Sequence, residues 1–98
     1  MGKAICMGYE RLVLVEWADS CGATARWQYL DESGPEYVLC RSVGWLAYDG
    51  EDCKRVVPHL GRHKDDERQQ GCGDMTIPTS AILRIADLRT VMPSRKRV

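Results

Sequence analysis

Residues 40–48, CRSVGWLAY, form the longest segment of this chain that can be one uninterrupted central β-strand. Side chains alternate along a strand, so Val38, Cys40, Ser42, Gly44 and Leu46 share one face while Leu39, Arg41, Val43, Trp45 and Ala47 share the other. The first face is small or apolar, and the second carries a tryptophan. Glycine inside a strand marks a bulge, a bend or a close approach of other atoms, and Gly44 stands directly before Trp45. A strand bent at a glycine is what a small barrel needs in order to close.

The remaining segments are read around that strand. Residues 1–10 show no clear period and read as an arm, with a short strand around residues 4–7 as an option. The first firm strand is residues 11–18, RLVLVEWA, apolar on both faces and therefore covered on both. Turn chemistry follows in Asp19-Ser20-Cys21-Gly22. Residues 24–32, TARWQYLDE, fit either a short helix capped by Thr24 or an ordered loop. Asp49-Gly50-Glu51-Asp52 signals a hairpin, with a returning strand over residues 53–60. Residues 61–73 hold an unbroken run of charged and amide side chains from Lys64 to Gln70 and read as a solvated loop. A short strand at residues 75–77, a proline-started turn of tight helix and a last strand over residues 82–88 complete the domain.

This order predicts a mainly β protein, a small SH3-like antiparallel barrel of about five strands with one short helix or ordered loop, and an Sm-like barrel as the alternative. An open α+β sheet with residues 24–32 helical is the other option. The predicted organisation is an N-terminal arm (1–10), one barrel domain (11–88) and a basic tail (89–98). Ninety-eight residues hold one modest core. No window nears the roughly 20 apolar residues of a membrane span, and the first ten residues lack the apolar stretch of a signal peptide, so a soluble intracellular protein is expected.

Fourteen basic and 14 acidic side chains cancel, so no global field draws the chain to a polyanion, and only Ser94-Arg95-Lys96-Arg97 forms a local basic excess. Nucleic acid is an unlikely partner on that balance. Five cysteines with no C-x-x-C spacing point to free thiols. A zinc site would have to use Cys53, His59, His63 and Cys72, whose gaps match no standard finger, so no metal or cofactor is expected. Ser20, His59 and Asp19 supply the residue types of a nucleophile, base and orienter, but without a nucleophile elbow; a catalytic reading is not favoured.

Binding residues are the better candidates. Trp17 and Trp45 are expected mainly as core, whereas Trp27 sits in a polar connection where periodicity gives it no core position. An exposed aromatic at a barrel end can stack a base while Asp19, Ser20 and Ser42 read its edges. Arg41 and Arg84 lie in strand patterns and need solvent or an anion; if both face one groove they can clamp a phosphate. His59 completes the candidate set.

VEWADS at 15–20, Trp27-Gln28, CRSVGW at 40–45, VVPHLG at 56–61 and GDMTIPTSAI at 73–82 together resemble small uncharacterised proteins of tailed bacteriophages and prophages. The resemblance spans residues 12–88 and carries no activity with it. It implies a viral setting in the cytoplasm of an infected bacterium, where small non-enzymatic proteins act by binding host components. The expectation is then a non-catalytic binding protein, a homo-oligomer that sequesters a small host nucleotide used as an immune signal. The competing expectations are a module that blocks a host protein and a minor virion component.

Overall fold

The computed structural model describes residues 11–22, 25–32, 34–89 and 91. These residues are mainly β and hold seven strands: β1 (Leu12–Ser20), β2 (Tyr37–Asp49), β3 (Cys53–Val57), β4 (His59–Gly61), β5 (Gln70–Cys72), β6 (Met75–Pro78) and β7 (Ile82–Asp87). Five of them form one antiparallel sheet in the order β6-β3-β2-β1-β7, and β4 and β5 form a separate two-stranded ribbon. A one-turn 3-10 helix, Thr79–Ala81, joins β6 to β7. These are the two edge strands of the sheet, so three residues link one edge to the other. A flat five-stranded sheet is too wide for that, because neighbouring strands lie about 4.8 Å apart; the sheet must therefore coil. Its two edges are not hydrogen-bonded to each other among the described residues.

The period-2 pattern of the two long strands sets the interior. Val13 and Val15 of β1, Leu46 of β2, Val56 of β3 and Ile77 of β6 form the buried cluster, with Trp17, Ala81, Ile82 and Ile85 packed against it. Branched aliphatic side chains suit this pleated interior.

Two irregularities bend the sheet, and neither lies at Gly44. Register slips between Leu46 and Tyr48 against β3, leaving Ala47 as the extra residue, and between Glu16 and Trp17 against β7, leaving Leu83 as the extra one. At Gly44 the register with β1 is continuous and φ is not positive. What the glycine permits is close approach: a Cβ there would stand 2.7 Å from Val56 Cγ1 and 2.8 Å from the Val57 carbonyl oxygen. Of the three expectations for a strand glycine, close approach is the one found.

Other segments differ from expectation in specific ways. The returning strand ends at Val57, and after Pro58 the chain enters β4, where His59 faces Cys72 and Gly61 faces Gln70. Proline has no N–H to give to a ladder, which explains the break. The polar segment is accordingly a loop between two ribbon strands rather than loop throughout. Within it Arg62 donates to the carbonyls of His63 (3.3 Å), Lys64 (3.5 Å) and Asp66 (3.0 Å). Gly73 ends the ribbon at φ +77, a conformation that favours glycine. Among residues 25–32 there is no helix, only a turn closed by Glu32 N–H donating to the Tyr29 carbonyl at 3.1 Å. The option of a strand at 4–7 and the Thr24 cap lie outside the described residues.

At one end of the sheet charges tie strand ends together. Arg11 Nε donates to Asp87 Oδ1 at 2.6 Å and its Nη1 to Asp49 Oδ2 at 3.2 Å, while Lys54 Nζ donates to Asp49 Oδ1 at 2.6 Å. The Lys54 hydrogen bond, helped by the charges of Lys54 and Arg11, holds the Asp49 carboxyl below its ordinary range. Asp49 thus clasps the β2–β3 turn to the start of β1.

Candidate functional site

At the opposite end of the sheet, β1 and β2 continue as a two-stranded ribbon. Pairing with β7 ends at Trp17 opposite Ile82, and pairing with β3 reaches back only to Trp45 opposite Val57, yet β1 and β2 stay paired to Ser20 opposite Tyr37. Around the root of this ribbon lies an open groove of about 470 Å³, lined by Glu16, Trp17, Leu39, Cys40, Arg41 and Leu83.

The inner face of the ribbon root is built on Trp17. Its ring packs against the core, and its indole Nε1–H donates to Ser42 Oγ at 3.0 Å, two residues along β2 from its direct partner Cys40. The aromatic body is satisfied by packing and the N–H by the hydroxyl.

The outer face carries a row of charges across three strands. Glu16 lies directly opposite Arg41 on one side and Arg84 on the other. Its Oε1 accepts from Arg84 Nε at 3.0 Å, and its Oε2 lies 3.3 Å from Arg41 Nε. The carboxylate occupies the space between two guanidiniums where an anion would otherwise be drawn. The expected shared face for Arg41 and Arg84 is therefore present, with the chain's own acid between them. Both arginines are well exposed, so this row contributes little stability in water.

The other candidates are dispersed. Asp19 and Ser20 stand exposed at the ribbon's far end, where Asp19 Oδ1 accepts from the Ser20 N–H at 2.8 Å. His59 is in β4 and borders a different hollow with Leu60, Gly61, Gln70, Gly71 and Cys72. Trp27 is fully exposed and, with Gln28 and Tyr29, borders a third concavity of about 580 Å³. Trp45 is half-buried on the outer face opposite Leu12 and Val57 rather than in the central cluster. Of the nine candidates, the ribbon root brings together Trp17, Arg41, Ser42 and Arg84.

Glu16, Leu39, Cys40 and Leu83 were not among the candidates. Glu16 had a readable signal, since an acid in an apolar strand needs either solvent or a basic cross-strand neighbour. Leu83 had none, because only the bulge turns it out to 62% exposure.

Among the described residues no three His, Cys, Asp or Glu side chains are grouped to hold a metal ion, and Cys21, Cys40, Cys53 and Cys72 are free thiols. Fold and groove together define a small, mainly β protein with an amphipathic groove at the root of a projecting ribbon. Comparison with protein-family models, with curated proteins and with solved structures finds no match.

Proposed function

We propose that this chain is a non-catalytic binding protein that uses the groove at the ribbon root to hold an extended segment of another protein. The observation that carries this reading is the groove's composition. Leu39 and Leu83 are exposed aliphatic walls, Trp17 gives an aromatic side, and Glu16 and Arg41 give one acceptor and one donor group. Peptide recognition commonly combines apolar pockets with a few oriented polar groups.

The strand order and the one-turn helix before β7 suit an SH3-like barrel, with an Sm-like barrel as the less close fit. The resemblance of residues 12–88 to tailed-phage proteins supplies the setting, a phage-encoded protein in the cytoplasm of an infected bacterium that occupies a host component. Affinity capture from host lysate, with wild type beside Leu83→Asp, tests the reading. A host protein retained by wild type and lost by the variant supports it; equal retention by both removes the groove from the interaction.

A second reading, sequestration of a small host nucleotide immune signal, draws on the exposed Trp27 and its neighbour Tyr29 at their own concavity. Aromatic faces stack bases. It is weakened by Glu16, which neutralises the arginines that would meet a phosphate. Calorimetry with a panel of cyclic and linear nucleotides separates the two, and absence of heat and of thermal stabilisation across the panel eliminates the nucleotide reading.

A further inference from the structure

The geometry points to an interface between two copies of this chain along the open edge of β2, from Tyr37 to Val43, paired antiparallel about a two-fold axis at Cys40. The interface goes beyond the groove but shares Leu39, Cys40 and Arg41 with its lining, so a second copy and a bound segment would compete there.

The argument begins with one hydrogen bond. The Leu46 N–H donates to the Arg11 carbonyl at 2.9 Å, and the register from there to Ser20 opposite Tyr37 has no slip. Residues of an antiparallel strand alternate between bonding to one neighbour and bonding to the other. Leu46, Gly44, Ser42, Cys40 and Val38 therefore direct their backbone groups at β1, and Trp45, Val43, Arg41, Leu39 and Tyr37 direct theirs away from it. Trp45 meets Val57 of β3. The other four pair with no strand among the described residues, although β4 lies close to β2 and Pro58 borders Val43.

Apart from Arg41, whose charge is met by Glu16, this edge also lacks the devices that keep edges apart. Residues 37–43 read YVLCRSV, without proline, lysine or bulge. Tyr37, Leu39 and Val43 are exposed beside it.

A second copy fits the edge because the four outward residues are symmetric about Cys40. Setting Cys40 opposite Cys40 of the second copy pairs Tyr37 with Val43 and Leu39 with Arg41, and satisfies all four outward residues on each side. Moving the axis to Arg41 sets two like charges opposite each other, which is unfavourable. Moving it to Leu39 leaves Val43 unpaired. An isologous contact of this kind closes as a dimer and makes one continuous sheet.

Cys40 provides the readout. Because its backbone groups point at β1, Cys40 opposite Cys40 is a non-hydrogen-bonded pair, with Cα atoms about 4.5 Å apart. That lies within the roughly 4.4 to 6.8 Å range for a disulfide. The experiment uses the full chain with Cys6, Cys21, Cys53 and Cys72 changed to serine, mild copper-phenanthroline oxidation and light scattering under reduction. Expected are a dimer mass in reductant and a Cys40-linked dimer on oxidation. Val43→Pro, at an edge residue outside the groove lining, removes only an outward N–H, which an edge tolerates, and is expected to weaken dimerisation about tenfold or more. Val43→Lys, which places a charge on the edge opposite Tyr37 of the second copy, is read beside it in case the proline variant does not fold. A monomer mass, or a dimer that both folded variants leave unchanged, overturns the proposal. Loss of the dimer with host-protein capture intact separates this interface from the groove.

Discussion

The indole N–H of Trp17 donates to the Ser42 hydroxyl at 3.0 Å, joining the two longest strands on their inner face where the core ends and the ribbon begins. The bond is partly buried, so loss of one partner leaves the other short of water as well as of its mate. Ser42→Ala is expected to cost about 1 kcal/mol. A double-mutant cycle with Trp17→Phe, followed by denaturant unfolding, should show most of that cost disappearing when the indole N–H is already gone.

Gly44→Val is expected to destabilise by more than about 1.5 kcal/mol, although valine has the better strand propensity. The new side chain would meet the Val57 carbonyl, which is backbone and cannot turn aside. Gly61→Ala is the control, since nothing lies within 4 Å of the added carbon. Chemical melts of the two variants should differ clearly, and a neutral Gly44→Val would mean that β3 does not cross β2 so closely.

Ile77→Ala removes a side chain only 1% exposed, from the edge strand β6. The expected cost is about 2 to 5 kcal/mol. Because β6 leads through the 3-10 helix into β7, hydrogen exchange should show faster opening in β7 as well as in β6.

Asp49 has a folded pKa below its ordinary value of 3.8, chiefly through Lys54. A depressed carboxylate stabilises the fold fully above the unfolded value, and that contribution disappears as pH falls through the folded value. Asp49→Asn should therefore lower the melting temperature at pH 7, with the gap from wild type closing as pH drops below 3.8. The carboxylate is half-exposed, so added salt should also narrow the gap.

Glu16→Gln should release Arg41 and Arg84 while keeping the side chain's shape. An anionic fluorescent probe such as a pyrophosphate analogue is expected to bind the variant more tightly than wild type. Equal binding would show that the two guanidiniums are available already.

Much of the sheet was legible because alternation fixes faces: Val13, Val15 and Leu46 point inward as their spacing requires, and Gly44 marks a real steric constraint. The bulges at Ala47 and Leu83 were not legible, since each arises from a mismatch between two strands and neither sequence carries it alone. Gly50 signalled the hairpin correctly, but its φ is not positive, and what the glycine avoids is a collision of a Cβ with the Tyr48 ring. Arg41 and Arg84 were legible as strand arginines needing solvent or an anion, but that Glu16 is the anion depends on β1 lying between β2 and β7. Asp19, Ser20, Trp27 and His59 looked combinable only because chain position says nothing about which end of a sheet a turn occupies.

The placement of β1 between β2 and β7 also has a consequence during synthesis. Val13 and Val15 gain their first sheet neighbour once residues near 44 have left the ribosome, but their second, opposite Asp87 and Ile85, comes from the far end of the domain. Until the nascent chain has emerged past Asp87, one side of β1 has no ladder to join, and long-range pairing of this kind is slow to form. A transcript cut short before residue 82 would yield a polypeptide with the β7 side of β1 unpaired, so synthesis must pass β7 before Val13 and Val15 are enclosed on both sides.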